Sequence, residues 1–148
     1  MIIGVAQFEK LFRKAASLDV DKNDLKRLSN FVVRKLADML IVAKAAAKQN
    51  DRDIIFLYDL PITKGLQETM HEFKKLEEEI ELKPILTELA KLPDYDVVLT
   101  VDVEERLPEI VGALIIALAR TMKVIDPKLK NPQTEHWDRA EAIFSMLL

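Results

Sequence analysis

Glu68 and His71 stand three residues apart on a stretch with helical periodicity. This spacing can aim a carboxylate and an imidazole at one metal ion. A carboxylate-bridged metal pair needs a second Glu-x-x-His and two further inward glutamates. The other histidine, His136, directly follows Glu135 and has Gln133 three residues before it. The sequence therefore reads as a surface pair at Glu68 and His71, not a metal centre. Asp94 and Asp96 are two carboxylates in one loop and read as a solvated turn. Two histidines without a serine elbow make no hydrolytic triad. Gly4, Gly65 and Gly112 are isolated, so no glycine-rich loop can cradle a phosphate. The absence of cysteine excludes a thiolate nucleophile, a cysteine-based metal site and disulfides. No catalytic, cofactor-binding or metal-ligating residue and no small-molecule substrate is expected, and the protein reads as non-enzymatic.

Three basic residues have a second kind of chemistry open to them. Lys10, Arg13 and Lys14 share one face at i, i+3 and i+4. They read first as a solvated helix face and second as a nucleic-acid contact. Trp137 near the last helix start reads as a core or interface anchor rather than a stacking platform for bases. Charge is uneven along the chain. Residues 1–74 hold thirteen lysines and arginines against ten acidic residues, and residues 75–148 hold nine against fifteen. Neither half has the basic excess of a protein that neutralises many phosphates.

These residues must be positioned by helices. Apolar residues make up 49% of the 148 positions, enough for a real core, and three glycines and six prolines disfavour a turn-rich β fold. The 32% charged content leans towards a thermophilic source. Periodicity predicts helices over about Val5–Leu18, Lys22–Gln49 with Asp21 as N-cap, and Asp59–Glu81 with Asp59 as cap and Pro61 in its first turn. Further helices follow over Ile85–Leu92, opened by Pro84 and ended by Pro93-Asp94, over Val103–Ile125 with Pro108 near its start, and over Glu135–Met146. Short β-like stretches lie at Asp53–Tyr58 and Val97–Val101. The most apolar run, Ile110–Ala119, is too short to span a bilayer and predicts a fully buried helix. The N-terminus MIIGVAQFEK lacks the basic and apolar regions of a signal peptide, so no membrane association and a cytoplasmic location are expected.

The plan is short helix, long helix, short helix, twice. A unit that cannot bury its own apolar face must pair with a copy. Over residues 10–60 the first half resembles an archaeal histone. Lys10, Leu11 and Phe12 match the basic residue and two large apolar residues of the family's first helix, and Val20 matches the valine closing its first loop. Arg52 and Asp59 match a loop arginine and the aspartate it pairs with, and Ile55 matches the isoleucine between them. In the second half Thr134 and Asp138 fit the second loop and third-helix cap, while Lys130 or Asn131 stands where the arginine would be. The whole chain resembles a small prokaryotic group with two histone folds fused in one polypeptide. The resemblance implies an all-α, single compact domain over 1–148, a pseudo-dimer with halves 1–81 and 84–148. It also implies a structural ion pair between Arg52 and Asp59. It would put phosphate contacts at Lys10, Asp19, Asp53 and Ile54, of which only Lys10 is basic. Carboxylates there repel phosphate. The expected role is protein–protein assembly, with a protein partner or self-association. The alternative is an architectural DNA-binding protein using the basic first half, binding weakly and only below physiological salt.

Overall fold

The computed structural model describes residues 4–91 and 95–148. The helix α1, Val5–Ala16, ends where Ser17 enters the left-handed region (φ 55°), two residues short of the expected Leu18. A serine there is less strained than a β-branched residue would be. Asp21 then caps the long helix α2, Lys22–Gln49, its carboxylate accepting from the N–H groups of Asn23 and Asp24 while Asp24 reaches back to the Asp21 N–H. Asn50 closes α2, and Asp51 turns the chain out of it with φ 56°.

After the two-residue strand β1, Ile54–Ile55, the chain makes a 3-10 turn at Leu57–Asp59. The helix α3, Lys64–Glu77, is capped four residues later than the sequence predicts. Asp59 is not its cap. The Asp59 carboxylate is already engaged by Arg52 and by the Phe56 N–H. Leu60, preceding Pro61, lies in the extended region that a following proline enforces. Thr63 caps α3 instead, through its hydroxyl to the Leu66 N–H. Pro61 therefore precedes the helix rather than occupying its first turn.

The helix α4, Lys83–Lys91, precedes strand β2, Val98–Leu99. The expected stop at Leu92, Pro93 and Asp94 lies outside the described residues. The long helix α5, Val101–Ile125, starts two residues before expectation, and Pro108 sits two turns inside it. A proline there leaves the Glu104 carbonyl without its usual helical donor. The last helix, α6, is Thr134–Leu147.

α5 packs against α1, α3, α4 and α6, and its segment Ile110–Ile116 is buried on every side. The buried apolar residues form one continuous cluster drawn from all six helices. Gly112 permits a close approach of α3 to α5: the Phe73 ring of α3 lies where a Cβ would stand. α6 lies along α2, with Phe31 and Phe144 meeting edge to face at 5.2 Å. Lys35 of α2 is buried and its ammonium donates to the carbonyls of Phe144 and Leu148 at the end of α6. Arg27 and Arg34, two turns apart on α2, both hold Glu141 of α6. Among the described residues the fold is thus predominantly helical, with β1 and β2 its strands, and no described helix is long and apolar enough to cross a membrane.

Two loop junctions tie the first half of the chain to the second. β1, which follows α2, runs parallel to β2, which precedes α5, with Ile54 opposite Val98 and Ile55 opposite Leu99. At the other end, the Asp19 N–H, before α2, donates to the Lys130 carbonyl, after α5, at 2.7 Å. Each junction therefore joins the loop that leaves one long helix to the loop that enters the other.

Candidate functional site

At the first junction, Arg52 and Asp59 form a two-pronged ion pair at 2.7 and 2.9 Å. The left-handed Asp51 turn and the 3-10 turn at Leu57 bring them together. One Asp59 oxygen also accepts from the Phe56 N–H at 2.8 Å, and Arg52 donates to the Ile54 carbonyl at 3.1 Å. The guanidinium lies over the Phe56 ring at 4.1 Å and the Tyr58 ring at 5.3 Å. The hydrogen bonds from Arg52 hold the Asp59 carboxyl below the usual aspartate range, and the same bonds push Arg52 up. The pair fastens strand β1 in place. Three of the five guanidinium N–H groups are used within the chain.

What the junction presents outward is different. Ile54 and Val98 are register partners and are 41% and 60% exposed. Asp53 and Asp96 flank them, both exposed. A groove of about 770 Å³ adjoins the junction, lined by Tyr58, Leu60, Ile62 and Met70 on one side and Asp102 and Arg106 on the other.

The second junction is polar. A cavity of about 450 Å³ there is lined by Asp19, Asp21, Asp24 and Arg27, with Gln133 and Trp137 opposite. Trp137 is buried against Phe12 and donates from Nε1 to Asp24 at 3.2 Å. Burial pushes the Asp24 carboxyl up from its ordinary value, opposed by the hydrogen bonds from the Asp21 N–H and Trp137. Arg27 is committed to Asp138 and Glu141.

The remaining residues singled out by sequence are dispersed. Lys10, Arg13 and Lys14 are all exposed on α1, but Arg13 pairs with Asp19 at 3.4 Å and Lys14 pairs with Glu79. Glu68 pairs with Lys64 one turn back on α3, and His71 is exposed on the groove wall. His136 is buried at the start of α6, where its Nδ1 accepts from the Gln133 N–H at 3.0 Å. No three potential metal ligands converge among the described residues. Asp96 is exposed, while Asp94 lies outside the described residues. No local pattern marks the outward pair Ile54 and Val98 as a surface. Both sit in stretches that read as strand, and only the parallel register shows that one face of each is left open.

The described residues thus form a predominantly helical protein in which two loop junctions link the first half of the chain to the second, one with apolar and acidic residues on its outer face, the other polar. The chain belongs to the family described as a domain of unknown function, DUF1931, which it matches over residues 8–145. It is similar to two uncharacterised proteins of Aquifex aeolicus strain VF5. One is 31% identical over 139 residues, covering 85% of this chain and 81% of the relative. The other is 28% identical over 120 residues, covering 81% and 70%. Among solved structures, a Thermus thermophilus protein superposes with a TM-score of 0.87 at 57% identity, with both chains wholly covered. An Aquifex aeolicus crystal structure superposes with a TM-score of 0.82 at 24% identity over 97% of this chain and 94% of that one, a likeness of fold alone.

Proposed function

We propose that the chain is a histone-fold pseudo-dimer in a single polypeptide, serving as a non-enzymatic protein assembly module. The repeated short–long–short order supports the fold reading, with α1–α3 and α4–α6 as the two copies within one domain. So does the reciprocal joining of loops, β1 to β2 and Asp19 to Lys130. A single copy would leave one face of its long helix uncovered. Here α3 of the first copy covers α5 of the second, and α6 of the second lies along α2 of the first. Fusing the copies makes their pairing intramolecular, at high effective concentration.

The observation that carries the functional reading is the outer face of the β1–β2 junction. There the histone resemblance would seat a phosphate, and this chain presents Ile54 and Val98 between Asp53 and Asp96. An apolar pair flanked by carboxylates suits a protein surface and repels a polyanion. The DNA-binding alternative loses ground on α1 as well, since Arg13 and Lys14 already have carboxylate partners. The test is an anisotropy titration of the full chain with labelled duplex DNA at low and at physiological salt. Weak binding that vanishes at physiological salt is expected. Tight binding that persists there would overturn the reading.

A further inference from the structure

Single exposed apolar side chains are ordinary on any surface. The β1–β2 junction gathers several. Beside Ile54 and Val98, Val101 opens α5 at 65% exposure, and Tyr58, 75% exposed, shares the adjoining groove with Asp102. Such a concentration marks an interaction surface. The rim around it carries more acidic than basic residues. Asp53 and Asp96 flank the strands, and Glu104 and Glu105 lie one turn along from Val101 on the same helix face. The charge of Arg52 is matched by Asp59; the exposed Lys44 and Lys48 of α2 line a small cavity together with Asp53, Asp96 and Val98 and offset part of that acidity, and Arg106 on the groove wall lies beside Glu109.

We propose that this junction docks a basic amphipathic segment of a partner protein. Apolar side chains of the segment cover Ile54, Val98 and Val101, and flanking lysines or arginines meet Asp53, Asp96, Glu104 and Glu105. The proposal rests on the assembly reading and adds to it the place and chemistry of the contact. A second copy of this chain fits the junction poorly. A two-fold contact would set the same acidic rim against itself, and juxtaposed like charges are unfavourable. The basic face of α1 is no better suited, because two of its three basic residues are engaged by Asp19 and Glu79.

The experiment titrates the full chain, at physiological salt, into a labelled leucine–lysine peptide of about 18 residues with its leucines on one helical stripe. A leucine–glutamate peptide of the same pattern is the control. The lysine peptide is expected to bind at least about tenfold more tightly than the glutamate peptide. Ile54→Lys with Val98→Lys, both at exposed sites, should weaken it by about tenfold or more with the melting temperature unchanged. Glu104→Lys with Glu105→Lys should weaken it too. Val124→Lys, at a still more exposed valine about 35 Å along α5, should leave it unaltered. Equal affinity for both peptides, or binding indifferent to the Ile54 and Val98 substitutions, overturns the proposal. So does a wild-type dimer in sedimentation that Ile54→Lys with Val98→Lys makes monomeric, since the occupant would then be a second copy. Duplex DNA in the same assay separates the two levels. Tight DNA binding sinks the assembly reading itself, whereas junction-independent peptide binding without DNA binding sinks only this proposal.

Discussion

Gly112→Ala sets two effects of known size against each other. In an exposed helix interior the change from glycine to alanine is stabilising by about 1 kcal/mol, because alanine has less backbone freedom to lose. At Gly112 the new methyl would stand 2.4 to 2.6 Å from three atoms of the Phe73 ring. That ring is fully buried at the contact of α3 with α5. Overpacking of this kind costs about 1–3 kcal/mol. The clash outweighs the propensity gain, and the variant should be less stable by up to roughly 2 kcal/mol. For a chain of this size each kcal/mol lowers the melting temperature by about 2–4 °C. The assay is thermal unfolding followed by far-ultraviolet circular dichroism. In a Phe73→Leu background the same substitution should cost less, with a coupling of about 0.5 kcal/mol or more between the sites. A rise in melting temperature for Gly112→Ala alone would show that α3 does not press on α5 at this point.

The Arg52–Asp59 pair should make stability depend on pH in acid. Because the folded Asp59 carboxyl sits below its ordinary value near 3.9, its contribution is complete above that value and is lost as pH falls through the lower, folded one. Asp59→Asn should therefore melt well below wild type at neutral pH, and the gap should narrow as the pH falls below about 4; a gap constant down to strongly acidic pH would contradict this. Trp137→Phe removes the donor to Asp24 and leaves a void at a buried site, and should cost about 1.5–3 kcal/mol or more, the worth of a bond to a charged group plus the lost packing. It should also raise the Asp24 titration further, as followed by carboxylate NMR shifts, and an unmoved titration would show the bond to be idle.

Much of this architecture is written in local patterns. Asp21 and Asp24 form a capping box that fixes the start of α2, and the apolar period through Leu25, Leu28, Val32, Leu36 and Met39 carries it to its observed end. The unbroken apolar run Ile110–Ala119 lies at the centre of the molecule, where a helix apolar on all sides belongs. The start of α3 departs from the sequence expectation because Asp59 is a good N-cap by type. Its partner Arg52 comes from seven residues earlier and claims the carboxylate first. Periodicity carries no sign of such competition. The candidate site can be read only in part. The carboxylates Asp19 and Asp53 are visible in the sequence, but the bond from the Asp19 N–H to the Lys130 carbonyl and the pairing of the strand after Asp53 with β2 depend on which loops meet. The ties of Glu141 to Arg27 and Arg34, and of Lys35 to the end of α6, span more than a hundred residues. No local spacing encodes them.

If carboxylates at the loop junctions turn this fold away from DNA, exchanging them for cations should turn it back. The variant is Asp19→Arg with Asp53→Lys, titrated against labelled duplex DNA beside wild type over a range of salt concentrations. Each new phosphate contact adds about −0.9 to the slope of log affinity against log salt. Wild type should bind weakly with a shallow slope and release the duplex at physiological salt. The double variant should bind measurably tighter, with a slope steeper by one to two contacts. Wild-type binding that is tight at physiological salt, or a folded double variant that gains neither affinity nor slope, would show that the junction carboxylates do not govern access to DNA.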